Sequence, residues 1–300
     1  QDGIIVIENV LTDTEVDKAR EGLHNQLLEF DIDHYKVLSG EQILEEGPRL
    51  KSVSSRIFYN KWKMDVCLHK TVYHRMKQLM NETYSSSKLD GFEHIFEPSN
   101  DILSYIDRIC WRLPDHIRTE GGLNLHLDRN PYDPYLLKSG GLKKWKPIQA
   151  FVTLTDQYGS ESGGLKVVKG FHNEIDSYFL KSSNDLVGGG EFYRMDSLSH
   201  VSLSKKVQPV FAPRGSLVCW DNKLPHATCQ KLSGFDTREV VYVGFMPDIE
   251  LNRNYCKHQL YNIRNNIPPP AYVDGKNVCD KNWDEDELSE SQLHMLGIYL

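Results

Sequence analysis

Residues 123–128 are the part of the chain best suited to chemistry, because a histidine and an aspartate alternate there with leucines. Side chains of a strand alternate between its two faces, so Asn124, His126 and Asp128 would share one face. One imidazole nitrogen and one carboxylate oxygen on the same face can bind a metal ion. A lone His-x-Asp pair arises often by chance and is then a hydrogen-bonded histidine beside a surface carboxylate. The pair therefore needs further residues before it predicts a metal site.

A third candidate ligand, His226, lies in residues 215–228, which read as a turn, a β-prone strand and a polar loop. Together His126, Asp128 and His226 form the set of two histidines and one carboxylate that is typical of non-heme Fe(II) oxygenases. Such a set leaves three positions of the metal open. A 2-oxo acid chelates through two of them, and O2 takes the third. The sequence therefore predicts a ferrous centre held by these three residues.

Arg238 is the candidate binding group for the 2-oxo acid. It precedes the apolar run at residues 240–245, and by alternation it faces the same way as Tyr242. An inward guanidinium needs an anion to compensate for its desolvation, and the distal carboxylate of 2-oxoglutarate would supply one in a bidentate pair. Thr228 is placed to donate its hydroxyl to the same carboxylate. Asn124 is a further candidate contact, with a hydrogen-bonded core asparagine as the alternative.

Short apolar runs separated by Gly, Asn, Asp and Pro would position these side chains. The predicted strands are residues 123–128, 148–155, 164–168, 207–211, 216–219 and 240–245. Gln149, Phe151 and Thr153 alternate on one face of the second of these strands, where they either line the cavity or pack in the core. This texture predicts an antiparallel sandwich or barrel rather than an α/β fold.

The first 120 residues differ from this pattern and read as helix-rich. A strand at residues 2–7 precedes a Thr-x-x-Glu capping box, which starts a helix that runs to about Leu28. Apolar residues then recur at helical spacing over residues 65–110. We expect a single domain over residues 1–300, with a helix-rich part at 1–120, a β core at about 121–250 and a C-terminal extension at 251–300.

Four segments in a fixed order carry a family resemblance. They are Asp-Gly-Ile-Ile-Val-Ile near the start, His-Leu-Asp at 126–128, Ser-Gly-Gly-Leu-Lys-Val-Val-Lys-Gly-Phe-His at 162–172, and the segment 215–228 that ends just after His226. The chain resembles, over most of its length, the phytanoyl-CoA dioxygenase-like family of Fe(II)/2-oxoglutarate oxygenases, with Arg238 where the family's 2-oxoglutarate arginine is expected. The departures from the family pattern, such as Lys169 for proline and Ser216 for aspartate, remove no metal ligand.

The resemblance implies a mainly β fold with helical decoration, in which N-terminal helices pack on a double-stranded β-helix (a cupin-like jelly roll). It implies Fe(II) as the metal and 2-oxoglutarate and O2 as co-substrates. The implied reaction is oxidative decarboxylation of 2-oxoglutarate to succinate and CO2, coupled to hydroxylation, desaturation or cyclisation at a C–H bond. Asp128 argues against halogenation, because related halogenases lack this carboxylate.

The substrate prediction depends on the loop at residues 129–146, which carries five basic residues, one acidic residue and interleaved aromatic residues. A positive loop beside the iron would favour a small anionic substrate, such as an amino-acid-derived or carboxylate natural product. The candidate contacts are Arg129, Tyr132, Lys143 and Lys144. Two alternatives stay open, namely an acyl-CoA whose phosphates use the same patch, and a solvated surface loop without a role.

Composition limits the partners. The chain has 35 Lys and Arg against 42 Asp and Glu, a net charge of −7, which disfavours a nucleic-acid partner. No stretch approaches the roughly 18 consecutive apolar residues of a membrane span, so we expect no membrane partner. The 6 cysteines form no CxxC pair and fit free thiols in a reducing compartment. A cytoplasmic location is expected, and a removed targeting peptide stays open as an alternative.

Two other classes of function remain at this stage. A non-redox, cupin-like metal enzyme could use the same three ligands with Zn(II), and a jelly roll could act as a binding module without catalysis. Arg238 discriminates between them and the oxygenase, because only a dicarboxylate co-substrate gives it a reason to point inward. Most of the remaining histidines, His24 and His34 among them, lack ligand spacing and are expected to be structural or solvated.

Overall fold

The elements of the fold come from a computed structural model, which describes residues 2–44, 54, 56–84, 101–128, 131, 144, 146–181, 192–195, 198–272 and 278–298. The strands in these residues are β1 (Ile4–Ile7), β2 (Ile102–Arg112), β3 (His126–Leu127), β4 (Ile148–Thr153), β5 (Leu165–Val167), β6 (Tyr193–Arg194), β7 (Gln208–Pro209), β8 (Leu217–Asp221), β9 (His226–Thr228) and β10 (Arg238–Pro247). The α-helices are α1 (Asp13–Leu28), α2 (His34–Ser39), α3 (Lys61–Cys67), α4 (Lys70–Tyr84), α5 (Ile175–Lys181), α6 (Val201–Ser204), α7 (Glu250–Arg264) and α8 (Glu290–Met295).

The strands form two antiparallel sheets of five strands each. The order is β1-β8-β4-β10-β2 in the first sheet and β6-β3-β9-β5-β7 in the second. The predicted antiparallel arrangement is therefore confirmed, with strands inside most of the predicted runs. The described strands form two separate sheets rather than a closed barrel, and the helices make the fold mixed rather than mainly β.

Each face of the first sheet packs against a different layer. Val241 and Val243 of β10 pack in a core that they share with α1, α3 and α4. Val240, on the opposite face of the same strand, packs between the two sheets with Leu127 of β3 and Ala227 of β9. Successive side chains of β10 therefore pack in two different cores. The same alternation determines which residues of β10 can face the space between the sheets.

The predicted helical region at residues 65–110 is right up to residue 84, within α3 and α4, and wrong at residues 102–110, which belong to β2. Residues 85–100 lie outside the described residues. A β-bulge explains the misleading spacing. Ile109 lies opposite Val241 and Ile106 lies opposite Val243, so two residues of β2 face one residue of β10. The extra residue shifts the alternation, and Ile106 and Ile109 both reach the helical core although they are three positions apart.

The helix α1 begins as the sequence predicts. The amide of Glu15 donates to Oγ1 of Thr12 at 3.3 Å, and the amide of Thr12 donates to Oε2 of Glu15 at 2.8 Å. This reciprocal pair is a capping box, which satisfies amides that have no partner inside the helix. The helix ends at Leu28, and its buried face packs on the first sheet.

The outer edge of the first sheet is β2, and α7 covers it. The side chain of Gln259 accepts from the amide of Ile106 at 2.8 Å and donates to the carbonyl of Ser104 at 3.0 Å. These bonds pair backbone groups that an edge strand otherwise leaves open. None of the helices in the described residues combines the length and the apolar character that a membrane crossing requires.

Candidate metal centre and its cavity

The second sheet brings two histidines together. His126 of β3 and His226 of β9 are directly paired across the two strands, and both are 5% exposed. Nδ1 of His126 lies 2.7 Å from the carbonyl oxygen of Asn124, and Nδ1 of His226 lies 3.0 Å from that of Leu224. Because a carbonyl oxygen only accepts, each Nδ1 carries the proton. The lone pair of each ring is therefore on Nε2, where it can bind a metal.

Asp128 follows β3 directly and completes the group. Its Oδ1 lies 3.6 Å from Nε2 of His126, and its Oδ2 lies 3.8 Å from Nε2 of His226. These distances are too long for hydrogen bonds, so the three side chains surround a common point instead of pairing with each other. Their ligand atoms all lie within 4.8 Å of one another. The side-chain amide of Gln149 donates from Nε2 to Oδ2 of Asp128 at 2.6 Å and so orients the carboxylate.

The electrostatics of this group favour the metal-binding forms of its members. Burial lowers the pKa of His226 to about 4, so its ring is neutral at pH 7. Burial opposes ionisation of Asp128, but attraction from His226, Lys146 and His126 outweighs it, and the pKa of Asp128 lies below its ordinary value. A neutral imidazole and an ionised carboxylate are the forms that coordinate metals.

Two buried arginines lie next to each other near this group and differ in their partners. Arg238 of β10 is paired with Arg112 of β2. Arg112 donates to Asp115 at 2.9 Å and to the carbonyl of Cys229 at 2.9 Å. Arg238 makes no ion pair within the described residues; its Nη1 lies 3.0 Å from Sγ of Cys110, and its buried Nε lacks a hydrogen-bond partner there. Arg238 is therefore the buried cation that can accept an anionic ligand.

The predicted site residues meet in one cavity of about 580 Å³, a size typical of small-molecule sites. Those that line it are His126, Asp128, Lys144, His226, Thr228 and Arg238. Oγ1 of Thr228 accepts from the amide of Leu123 at 2.6 Å, which leaves the hydroxyl hydrogen to be donated. The metal ligands lie on the second sheet and Arg238 on the first, so the cavity lies between the sheets.

The other predicted contacts have different positions. Asn124 is exposed and is not among the cavity residues, because β3 begins only at His126 and the alternation of a strand does not extend back to it. Its backbone carbonyl, rather than its side chain, supports the site. Arg129, Tyr132 and Lys143 lie outside the described residues.

Three further residues belong to the site. Gln149, which orients Asp128, is a buried polar residue between Ile148 and Ala150 of β4, and an amide side chain between two apolar residues of a strand is the feature of the sequence that marks it. Lys146 lines the cavity, and its positive charge lowers the pKa of Asp128. Phe192 also lines the cavity, with its ring centroid 4.8 Å from that of His126. No motif in the sequence marked Phe192.

A second group of similar composition lies between α1, α2 and β10. Its members are His24, His34 and Glu239, whose possible ligand atoms also lie within 4.8 Å of one another. Glu239 already accepts from Arg20 at 2.8 Å, from His24 at 2.8 Å and from Thr237 at 2.6 Å. The two imidazole rings stack at 3.5 Å and 14°, so their lone pairs run in parallel planes and do not converge. The arrangement fits an ion-pair network better than a metal site.

Comparison with known proteins places the fold. No protein-family model matches the chain, and no curated protein matches it. Among solved structures it is similar to GlcNAc Inducible Gene 2, GIG2 (DUF1479), from Candida albicans, with a TM-score of 0.70 and 18% identity over 99% of this chain and 74% of that one. The "Putative Oxidoreductase" from Salmonella typhimurium LT2 has a TM-score of 0.71 and 14% identity, over 99% of this chain and 80% of that one. The hypothetical protein JW0805 from Escherichia coli has a TM-score of 0.71 and 14% identity, over 100% of this chain and 79% of that one. At these identities the likeness shows a shared fold alone.

Proposed function

We propose that this chain is an Fe(II)- and 2-oxoglutarate-dependent oxygenase built on a double-stranded β-helix. One observation carries the proposal: two imidazole nitrogens and a carboxylate converge in a cavity that also holds a buried arginine without an acidic partner in the described residues. Two histidines and one carboxylate with open positions are typical of non-heme Fe(II) oxygenases. The Salmonella typhimurium LT2 protein of similar fold is described as a "Putative Oxidoreductase", the broad class to which this proposal belongs.

Each residue then has a role. His126, Asp128 and His226 would hold Fe(II), and the carbonyls behind the two histidines and the amide of Gln149 keep these ligands in place. When bound, Fe(II) with O2 and 2-oxoglutarate supplies the oxidising power for attack on a C–H bond. The chain itself binds the participants, excludes bulk water by burial and orients them.

Arg238 and Thr228 would bind the distal carboxylate of 2-oxoglutarate. Because Arg238 belongs to the first sheet and the metal ligands to the second, an extended dicarboxylate can bridge the cavity between them. The buried Nε of Arg238 gives such a carboxylate a donor that no described group uses. The oxygenase is the better proposal because 2-oxoglutarate has one end that chelates a metal and a distal carboxylate that can pair with this arginine.

The variant Arg238→Ala tests the proposal, with the exposed Arg264→Ala as the matched control. Fe(II) and 2-oxoglutarate binding are measured separately by anaerobic calorimetry, and succinate release is measured in air. We expect Arg238→Ala to weaken 2-oxoglutarate binding about ten- to hundredfold, the size expected for lost hydrogen bonds to a charged group, while Fe(II) affinity is unchanged. Arg264→Ala should change neither. Equal loss of both ligands, or undiminished 2-oxoglutarate binding, would contradict the proposal.

A further inference from the structure

Another part of the cavity wall combines aromatic rings with two lysines. Nζ of Lys144 lies 5.1 Å from the ring centroid of Tyr105 and 4.6 Å from that of Tyr255. Nζ of Lys146 lies 5.9 Å from the centroid of Tyr105. At these distances an ammonium group is attracted by the ring. Tyr105 therefore holds two cations next to each other at the cavity, and this arrangement is called the lysine–tyrosine subsite below.

The sequence of β10 is adapted to the ring of Tyr105. Gly244 is paired with Tyr105 across β10 and β2, and a Cβ atom at Gly244 would lie 2.2 Å from Cζ of the tyrosine. Such a contact is impossible, so the tyrosine ring can lie across β10 only because this position is a glycine. The position of the tyrosine ring is thus set by the pairing of β2 with β10.

Lys146 is placed beside the metal ligands. Its carbonyl accepts from Nδ2 of Asn222 at 3.0 Å, which fixes the backbone just before β4. Its side chain lines the same cavity as Asp128 and His226. Within the described residues no carboxylate lies within ion-pair distance of Lys146. The other acid at this wall, Asp107, accepts from the hydroxyl of Tyr272.

We propose that the lysine–tyrosine subsite binds the substrate through a carboxylate, with Lys146 as the main contact. The inference rests on the proposed function, because the metal makes this cavity an active site. Lys146 offers this carboxylate an ammonium group, and such a charge-assisted contact is stronger than a contact between neutral groups.

Calorimetry with three probes of one carbon skeleton tests this subsite. Hexanoate, hexanamide and hexylamine are titrated into Zn(II)-loaded protein that is saturated with 2-oxoglutarate, which keeps the metal and Arg238 occupied. We expect hexanoate to bind about tenfold or more tightly than hexanamide, because a charge-assisted contact is lost with the amide. Hexylamine should bind most weakly. Lys146→Met should abolish the preference for hexanoate, Lys146→Arg should keep it, and the exposed Lys257→Met should leave it unchanged.

Two results would overturn the inference. One is equal binding of hexanoate and hexanamide to the unaltered protein. The other is a Lys146→Met variant that loses affinity for 2-oxoglutarate and keeps its preference for hexanoate, because Lys146 would then belong to the co-substrate site. Unchanged Zn(II) binding by Lys146→Met shows that the variant is folded. If the unaltered protein binds no 2-oxoglutarate, the proposed function fails, and the same titrations without it still decide whether the subsite selects a carboxylate.

Discussion

Two groups of two histidines and one carboxylate lie in the described residues, and their surroundings make them different. In both groups the possible ligand atoms lie within 4.8 Å of one another and the histidines are buried. In the first group the carboxylate of Asp128 accepts from a neutral amide, that of Gln149. In the second group the carboxylate of Glu239 pairs with Arg20 and His24. Residue type and proximity are therefore not enough to identify a metal site.

The difference begins with neighbouring residues on one strand. Arg238 and Glu239 follow each other in β10, so they point to opposite faces of the first sheet. Arg238 faces the cavity between the sheets and has no acidic partner in the described part of the chain, whereas Glu239 faces the helices and meets Arg20 of α1. On one face of β10, Arg238 is placed to bind an anionic ligand. On the other face, Glu239 forms an ion pair that attaches α1 to the sheet.

The largest effect that separates the two groups should be on metal binding. We expect His226→Ala to lower Fe(II) affinity by more than about hundredfold, because even changes to the partners of metal ligands cost ten- to hundredfold. His34→Ala should leave one equivalent of Fe(II) bound with unchanged affinity. Anaerobic calorimetry measures both variants. Loss of metal from His34→Ala would show that the second group is the metal site.

Stability should respond in the opposite way. Removing the carboxylate in Glu239→Ala leaves Arg20 and His24 without their shared partner, and we expect the free energy of unfolding to fall by about 3 kcal/mol. Asp128→Asn should change the stability of the metal-free protein by less than about 1 kcal/mol, because the new side chain still accepts from Gln149. Urea unfolding of the metal-free variants gives both values. Equal losses of unfolding free energy in the two variants would contradict the assignment of Glu239 to stability and Asp128 to metal binding.

The second group should also make stability depend on pH. Burial lowers the pKa of His34 to about 4 from its usual value of 6.5, so the unfolded chain takes up this proton at a higher pH than the folded protein. The stability contributed by the neutral His34 ring is complete above pH 6.5 and is lost as the pH falls towards 4, by at most about 3 kcal/mol. Unfolding at several pH values should show a shallower slope for His34→Gln than for the unaltered protein. Identical slopes would mean that His34 is not held neutral by burial.

The smallest effect concerns the groups that donate to the two carboxylates. Gln149→Leu removes the donor to Asp128, and we expect about a tenfold loss of Fe(II) affinity, at the lower end for a partner of a metal ligand. Thr237→Val removes the corresponding donor to Glu239 and should leave Fe(II) affinity unchanged. A competition titration against a chelator resolves differences of this size. An unchanged affinity in Gln149→Leu would mean that the amide does not orient the carboxylate for the metal.

Strand alternation together with the family resemblance named the side chains that could meet, and their role as a metal site stays a prediction. His126, Asp128 and His226 are far apart in the chain, yet the predicted alternation of strands and loops agrees with the way the structure brings them together with Arg238. Local features were also predictable, as the capping box of α1 shows. These features depend on neighbouring residues or on a strand period that the sequence displays directly.

Features that depend on distant pairing could not be predicted in this way. The bulge that gives β2 its helix-like spacing exists only opposite β10, which lies more than a hundred positions later. The start of β3 at His126, which leaves Asn124 exposed, depends on where β6 and β9 pair with it. Gln149 could be assigned to the cavity only once Asp128 was known to lie against it.

Anaerobic visible spectroscopy of the Fe(II)-loaded protein tests the central claim most directly. On addition of 2-oxoglutarate we expect a weak charge-transfer band, which reports a 2-oxo acid chelated to ferrous iron that keeps open positions. The band should also form in His34→Ala and should be absent from His226→Ala. No band in the unaltered protein, or a band of equal intensity in His226→Ala, would contradict the assignment of His126, Asp128 and His226 as the iron site.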